Sequence, residues 1–91
     1  MHHYKLEYTK TAVQDLKRLD KKMAQRIVKK LDFFANQKDP LAFAKRLKDR
    51  KYGEYRFRIG DYRAIFDIAE GKIKILLMLI IRHRREVYRD L

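Results

Sequence analysis

The segment EYRFRIGDYRAIFDIAEGKIKILLMLII, residues 54–81, decides the fold. Tyr55, Phe57 and Ile59 alternate with Glu54, Arg56 and Arg58, the period of a strand with one buried face. Gly60-Asp61 then has the composition of a two-residue hairpin loop, with glycine supplying the positive φ. Tyr62, Ala64, Phe66 and Ile68 resume the alternation, with Arg63, Ile65 and Asp67 between them. Glu70-Gly71 predicts a second tight turn, and residues 73–81, dense in Ile and Leu, read as a central strand. The segment is a three-stranded antiparallel meander.

Its register follows from the turns. A loop at Gly60-Asp61 pairs Ile59 with Tyr62, Arg58 with Arg63 and Phe57 with Ala64. A loop at Glu70-Gly71 pairs Ile68 with Ile73, Asp67 with Lys74, Ile65 with Leu76 and Arg63 with Met78. Strand parity then separates two faces. The expected core face carries Tyr55, Phe57, Ile59, Tyr62, Ala64, Phe66, Ile68, Ile73, Ile75, Leu77, Leu79 and Ile81. The other carries Arg56, Arg58, Arg63 and Arg82, mixed with Ile65, Leu76, Met78 and Ile80. Arg58 opposite Arg63 is a like-charge cross-strand pair that costs a few tenths of a kcal/mol to about one. An anion held between the arginines would repay that repulsion. The apolar remainder of the face suggests a covering segment, from a partner or from the C-terminal tail.

Upstream of the meander, Tyr4, Leu6 and Tyr8 alternate with Lys5 and Glu7, as in a half-buried strand. Thr11 and Gln14 fit a capping box, and Thr9 is the competing N-cap. A short helix follows through Val13, Leu16 and Leu19. Asp20 can cap a longer one, in which Met23, Ile27, Leu31 and Phe34 share a face while Lys21, Lys22, Lys29 and Lys30 take solvated faces. Asn36 to Pro40 ends this helix. With so short a link the two helices should form an antiparallel hairpin. Residues 41–52, rich in Lys and Arg, read as a basic and partly irregular connection.

The chain has 91 residues, 24 Lys+Arg against 12 Asp+Glu, and a formal charge of +12. That length allows one domain, taken as residues 1–91, and excludes a nucleotide-binding sheet with a separate substrate domain. The absence of cysteine excludes a disulfide scaffold and thiolate metal sites. His2-His3 offers a weak metal site at best. No apolar run reaches the roughly 18 residues of a membrane span, so the expectation is a cytoplasmic domain. A charge excess this large calls for a polyanionic partner.

The two-helix hairpin, the strand Gly60-Asp61-Tyr62-Arg63-Ala64-Ile65-Phe66 and the ending Arg82-His83-Arg84-Arg85-Glu86-Val87-Tyr88 together resemble the RelE branch of the RelE/ParE toxin superfamily. The resemblance covers nearly the whole chain. It implies an α+β fold in which an N-terminal strand and a helix hairpin pack on an antiparallel sheet of about four strands, closed by a short C-terminal helix. It implies a toxin of a toxin–antitoxin pair that enters the ribosomal A site and cuts mRNA without a metal or other cofactor. The implied partners are a cognate antitoxin, in a hetero-oligomeric complex, and the ribosome with its mRNA and rRNA.

By position, Arg63 matches the catalytic strand arginine of the family, Arg82 and Arg84 the arginines before its final motif, and Tyr88 its tyrosine. Arg56 and Arg58 fall where the best-studied member has lysines, so neither can act as a base. They are RNA-binding candidates, with Lys48 before the meander. His83 joins them as an RNA-binding candidate; unperturbed histidine titrates in the range that suits acid–base work, but strand parity sets it on the face opposite Arg82, as a structural or rim residue. For the chemistry, arginine forks suit a phosphorane, and Tyr88, beside guanidinium groups that would lower its pKa, is the candidate proton acceptor. A set without a tuned His or Glu implies negligible cutting of free RNA. The rival readings are a ParE-type inhibitor of DNA gyrase and a non-enzymatic nucleic-acid-binding module.

Overall fold

A computed structural model describes residues 4–90, with side chains through Val87; His2 and His3 lie outside it. The elements run β1 (Lys5–Tyr8), α1 (Lys10–Lys17), α2 (Lys21–Ala35), a 3-10 turn (Pro40–Phe43), β2 (Ala44–Arg46), β3 (Tyr55–Ile59), β4 (Tyr62–Ala69), β5 (Ile75–His83) and α3 (Arg84–Asp90). The α+β class and the order of elements are as expected. The sheet is larger, with five strands in the order β1-β5-β4-β3-β2. It is also mixed, because β1 joins β5 in parallel. Within the basic connection, Ala44 to Arg46 pair with β3 as a short edge strand. Among the described residues, no helix is long and apolar enough to cross a membrane.

Helix starts follow the polar residues that can accept orphan backbone N–H groups. Asp20 caps α2, accepting from Met23 N at 2.9 Å. At α1 the cap is Thr9, whose Oγ1 accepts from Ala12 N at 3.1 Å, and Thr11 lies inside the helix. Thr9 prevails because the same hydroxyl donates to Leu79 O at 2.9 Å, tying the helix to the sheet. The core lies between α1, α2 and one sheet face. Its centre is an aromatic stack: Phe34 on Phe57 at 4.5 Å between centroids, and Phe57 on Phe66 at 4.4 Å. Around it Ile27, Leu31, Leu76 and Met78 are fully buried.

The β3–β4 register is as expected, with Arg58 opposite Arg63 and Gly60 at φ 59° in the turn. The β4–β5 register is not. Residues 70–74 form a wider connection than a two-residue turn, so Ile68 faces Leu76 and Asp67 faces Leu77, in place of Ile73 and Lys74. Ile73 is 56% exposed. A one-residue shift between Ile65 and Phe66 then pairs Ile65 with Ile80 and Phe66 with Met78, leaving Leu79 without a partner on β4. This bulge reverses parity along β5. Leu76 and Met78 therefore belong to the core face, Ile75 and Leu77 to the other, while Ile81 and Arg82 keep their expected sides.

The apolar part of the arginine face is covered by the chain itself, between β2 and β3. Leu47 N donates to Glu54 O at 2.8 Å, and Glu54 N donates to Asp67 Oδ1 at 2.8 Å. This closes residues 47–54 over Ile65, which is fully buried. A Cβ on Gly53 would stand 2.5 Å from Ile65 Cγ2 and 3.0 Å from Leu79 Cδ1. Gly53→Ala is therefore expected to destabilise by about 1–3 kcal/mol, the usual cost of overpacking, read as a lower urea midpoint at unchanged m-value.

Tyr8 carries a buried hydroxyl with no hydrogen-bond partner among the described residues. Burial, reinforced by the Asp32 carboxylate, pushes its phenol up to about 12. An unfolded tyrosine loses its proton near 10, so the native state binds more protons between these values and stability falls as pH rises through them. Tyr8→Phe is expected to gain up to about 1 kcal/mol near neutral pH and to lose this share of the alkaline decline. Urea midpoints of both proteins at pH 8 and pH 11 measure the difference.

Candidate functional site

The register shift in β5 places Arg82 directly opposite Arg63, which faces Arg58 on its other side. Three guanidinium-bearing residues thus stand in one row across three adjacent strands. Lys45 opposite Arg56 adds a second like-charge pair one step along the same face. Sequence reasoning missed Lys45 because a three-residue edge strand has too few positions to show a period.

Each arginine in the row is accommodated differently. Arg58 is exposed, where water screens it. Arg63 is only 3% exposed. Its Nη1 donates to Gly60 O and to Tyr62 O, both at 3.0 Å, so hairpin carbonyl dipoles support a charge held beneath the surface. Arg82 is half-buried, with Nε 3.5 Å from Asp15 Oδ2. Asp15 is itself buried on α1 and also accepts from Ile81 N at 3.0 Å. Its carboxylate therefore satisfies the open edge of β5 beyond β1 and anchors the arginine in one geometry. Among the described residues no carboxylate lies within salt-bridge distance of Arg56 or Arg58.

The remaining candidates lie around this row. Arg84 opens α3, with N donating to Asp61 O at 2.7 Å and Nε 3.9 Å from Asp61 Oδ1. That pins the helix to the β3–β4 turn and leaves the Arg84 side chain half exposed. Lys48 is exposed on the loop that closes over the arginine face. His83 faces Tyr62 on the helix side of the sheet, ring edge to ring face at 5.4 Å, and its Nδ1 accepts from Arg85 N at 3.2 Å. The structure thus separates it from the row. Tyr88 lies on α3, one helical turn beyond Arg84; its side chain falls outside the described residues.

A family model described as the ParE toxin of type II toxin–antitoxin systems matches residues 6–88. The chain belongs to the RelE/ParE toxin superfamily. Among solved structures, this toxin is similar to the RelBE2 toxin–antitoxin complex of Mycobacterium tuberculosis, at 28% identity and TM-score 0.74, over 92% of this chain and 94% of that one. It is similar to the archaeal RelE-RelB complex of Pyrococcus horikoshii, at 27% identity and TM-score 0.66, over 89% and 94%. The RelB-RelE complex of Methanococcus jannaschii, at 24% identity and TM-score 0.63 over 93% and 98%, shares the fold. No curated protein matches the chain.

In this toxin, Asp15 joins the stability of the sheet edge to the placement of Arg82. Asp15→Ala is expected to cost about 2–3 kcal/mol, because it leaves the buried Ile81 N–H without an acceptor. Asp15→Asn keeps an acceptor for Ile81 and is expected to cost less. Denaturant titration of the two variants checks the order.

Proposed function

We propose that this toxin is a RelE-type endoribonuclease that cleaves mRNA in the ribosomal A site and so inhibits translation. The observation that carries this reading is the row Arg58-Arg63-Arg82 across β3, β4 and β5. Guanidinium forks match phosphate oxygens, and fixed cations stabilise the dianionic phosphorane more than the monoanionic diester. Arg58 and Arg82, exposed and half-exposed, make the direct contacts, with Arg84 at the rim. Arg63, engaged by backbone carbonyls, supplies fixed charge from beneath.

In the reaction the 2′-hydroxyl loses its proton and its oxygen attacks the adjacent phosphorus. The P–O5′ bond breaks, and the leaving oxygen gains a proton. Tyr88 is the proposed acceptor of the first proton. Near the row, Asp15 is engaged by Ile81 N and Arg82, and Asp67 by Glu54 N, while His83 lies on the other face. Such a site depends on having its substrate held in the attacking geometry, which the ribosome would provide. Lys45, Lys48 and Arg56 extend the cationic face along the message. The relatives described above were solved as toxin–antitoxin complexes, and a charge of +12 suits an acidic, largely helical antitoxin.

The family model's description as a ParE toxin favours gyrase as a second target, and one paired assay decides between them. Cleavage of mRNA on programmed ribosomes, with gyrase supercoiling unaffected, is the expected result. Arg58→Ala and Arg82→Ala should each slow that cleavage by about a hundredfold or more, and Tyr88→Phe should lose rate while keeping ribosome binding. Blocked supercoiling with intact messages would overturn the proposal, as would efficient cutting of naked RNA.

A further inference from the structure

A second cationic site lies between α2 and the C-terminal end of β3, beyond its pairing with β2. Arg26, Lys29, Lys30 and Phe33 follow one another on α2 at i, i+3, i+4 and i+7, a single stripe of the helix. With Arg58, Ile59 and Gly60 they line a groove of about 500 Å³. Among the described residues no carboxylate lines it. Phe33 is 48% exposed and is held at its edge by Phe43, ring centroids 6.1 Å apart. Lys30 Nζ stands 4.9 Å from the Phe33 ring centroid.

We propose that this groove binds a single strand of RNA, with phosphates on Arg26, Lys29 and Lys30 and a base stacked at Phe33. The combination of a basic track with an accessible aromatic ring is the general means of holding single strands without sequence readout, because every base presents a π-face. Arg58 belongs both to this groove and to the arginine row. A strand leaving the row therefore passes over Arg58 into the groove with no break in positive charge. An amphipathic acidic helix would need an apolar stripe along α2, and three of the four stripe positions are cations. The inference deepens the mRNA reading above by naming where nucleotides beyond the scissile bond would run.

The test is fluorescence anisotropy with a labelled 2′-O-methyl oligouridylate, which lacks the attacking hydroxyl and so reports binding apart from cleavage. Lys29→Ala with Lys30→Ala is expected to weaken binding at least tenfold and to reduce the slope of log affinity against log salt by about 1.4, at about 0.7 per lost phosphate contact. Phe33→Leu is expected to weaken it about tenfold with the slope unchanged. Lys10→Ala with Lys72→Ala removes the same charge from exposed positions outside the groove and should change affinity less than threefold. Equal effects of the two lysine pairs would overturn the proposal, as would indifference to Phe33→Leu or equal competition by polyglutamate. Ribosomal cleavage by the same proteins separates the two ideas. Wild type that binds through the groove but cuts no message sinks the nuclease reading alone. Wild type that cuts while the groove variants bind normally sinks the groove alone.

Discussion

The bulge at Leu79 is the constraint on which both faces of the sheet depend. Strict alternation along β5 would put Met78 and Ile81 on opposite faces. Both are buried in the same core, so one extra residue must stand between them. The same extra residue turns Arg82 away from the core and sets it against Arg63. Packing and the cationic row are thus consequences of one irregularity. The N-cap threonine of α1 holds it, since Thr9 Oγ1 binds the carbonyl of Leu79 itself. Two residues further along, Asp15 takes the N–H of Ile81. The first helix is therefore a clamp on the sheet edge as well as a cover for its core.

Three arginines abreast would repel one another in an unsupported sheet. Here the cost is spread over three environments: water at Arg58, turn carbonyls at Arg63 and a buried carboxylate at Arg82. Arg82 is tethered on one side, its Nε 3.5 Å from the buried Asp15 carboxylate, an attraction that partial burial strengthens. Arg58, free of any acidic partner among the described residues, is open to a ligand. A phosphate bridging the two would meet one tethered and one adaptable cation.

The β3–β4 hairpin was legible because Gly60-Asp61 fixes a two-residue loop, and a two-residue loop fixes a register. That alone placed Arg58 beside Arg63. Glu70-Gly71 misled, because a glycine permits a tight turn without requiring one. The chain runs on to Ile75 before pairing resumes, which undid the expected contacts of Asp67 and Ile68. The bulge was invisible for a different reason. Residues 75–81 are apolar at every position, so no polar marker showed where alternation breaks. The closure of residues 47–54 over Ile65 rests on backbone hydrogen bonds at Leu47 and Glu54, which leave no hydropathy pattern. The His83 placement, by contrast, followed from parity with Arg82 and agrees with the structure.

The covering of Ile65 changes what kind of ligand the molecule suits. With the apolar half of the arginine face closed by the chain's own loop, the exposed part of that face is mostly charge. The large apolar rings left open are Phe33 and Phe43, on the helix side. The row spans three strands, about 10 Å at the usual spacing, and the α2 stripe from residue 26 to 33 covers about 10 Å more. Arg58 joins the two. A small anion could neutralise either part but never both, and it would release few counterions. A flexible polyanion can follow the turn at Arg58, replace counterions along the whole path and gain affinity in proportion to the phosphates engaged. The geometry of the charge, more than its total, therefore suits an extended polyanion better than a small anion.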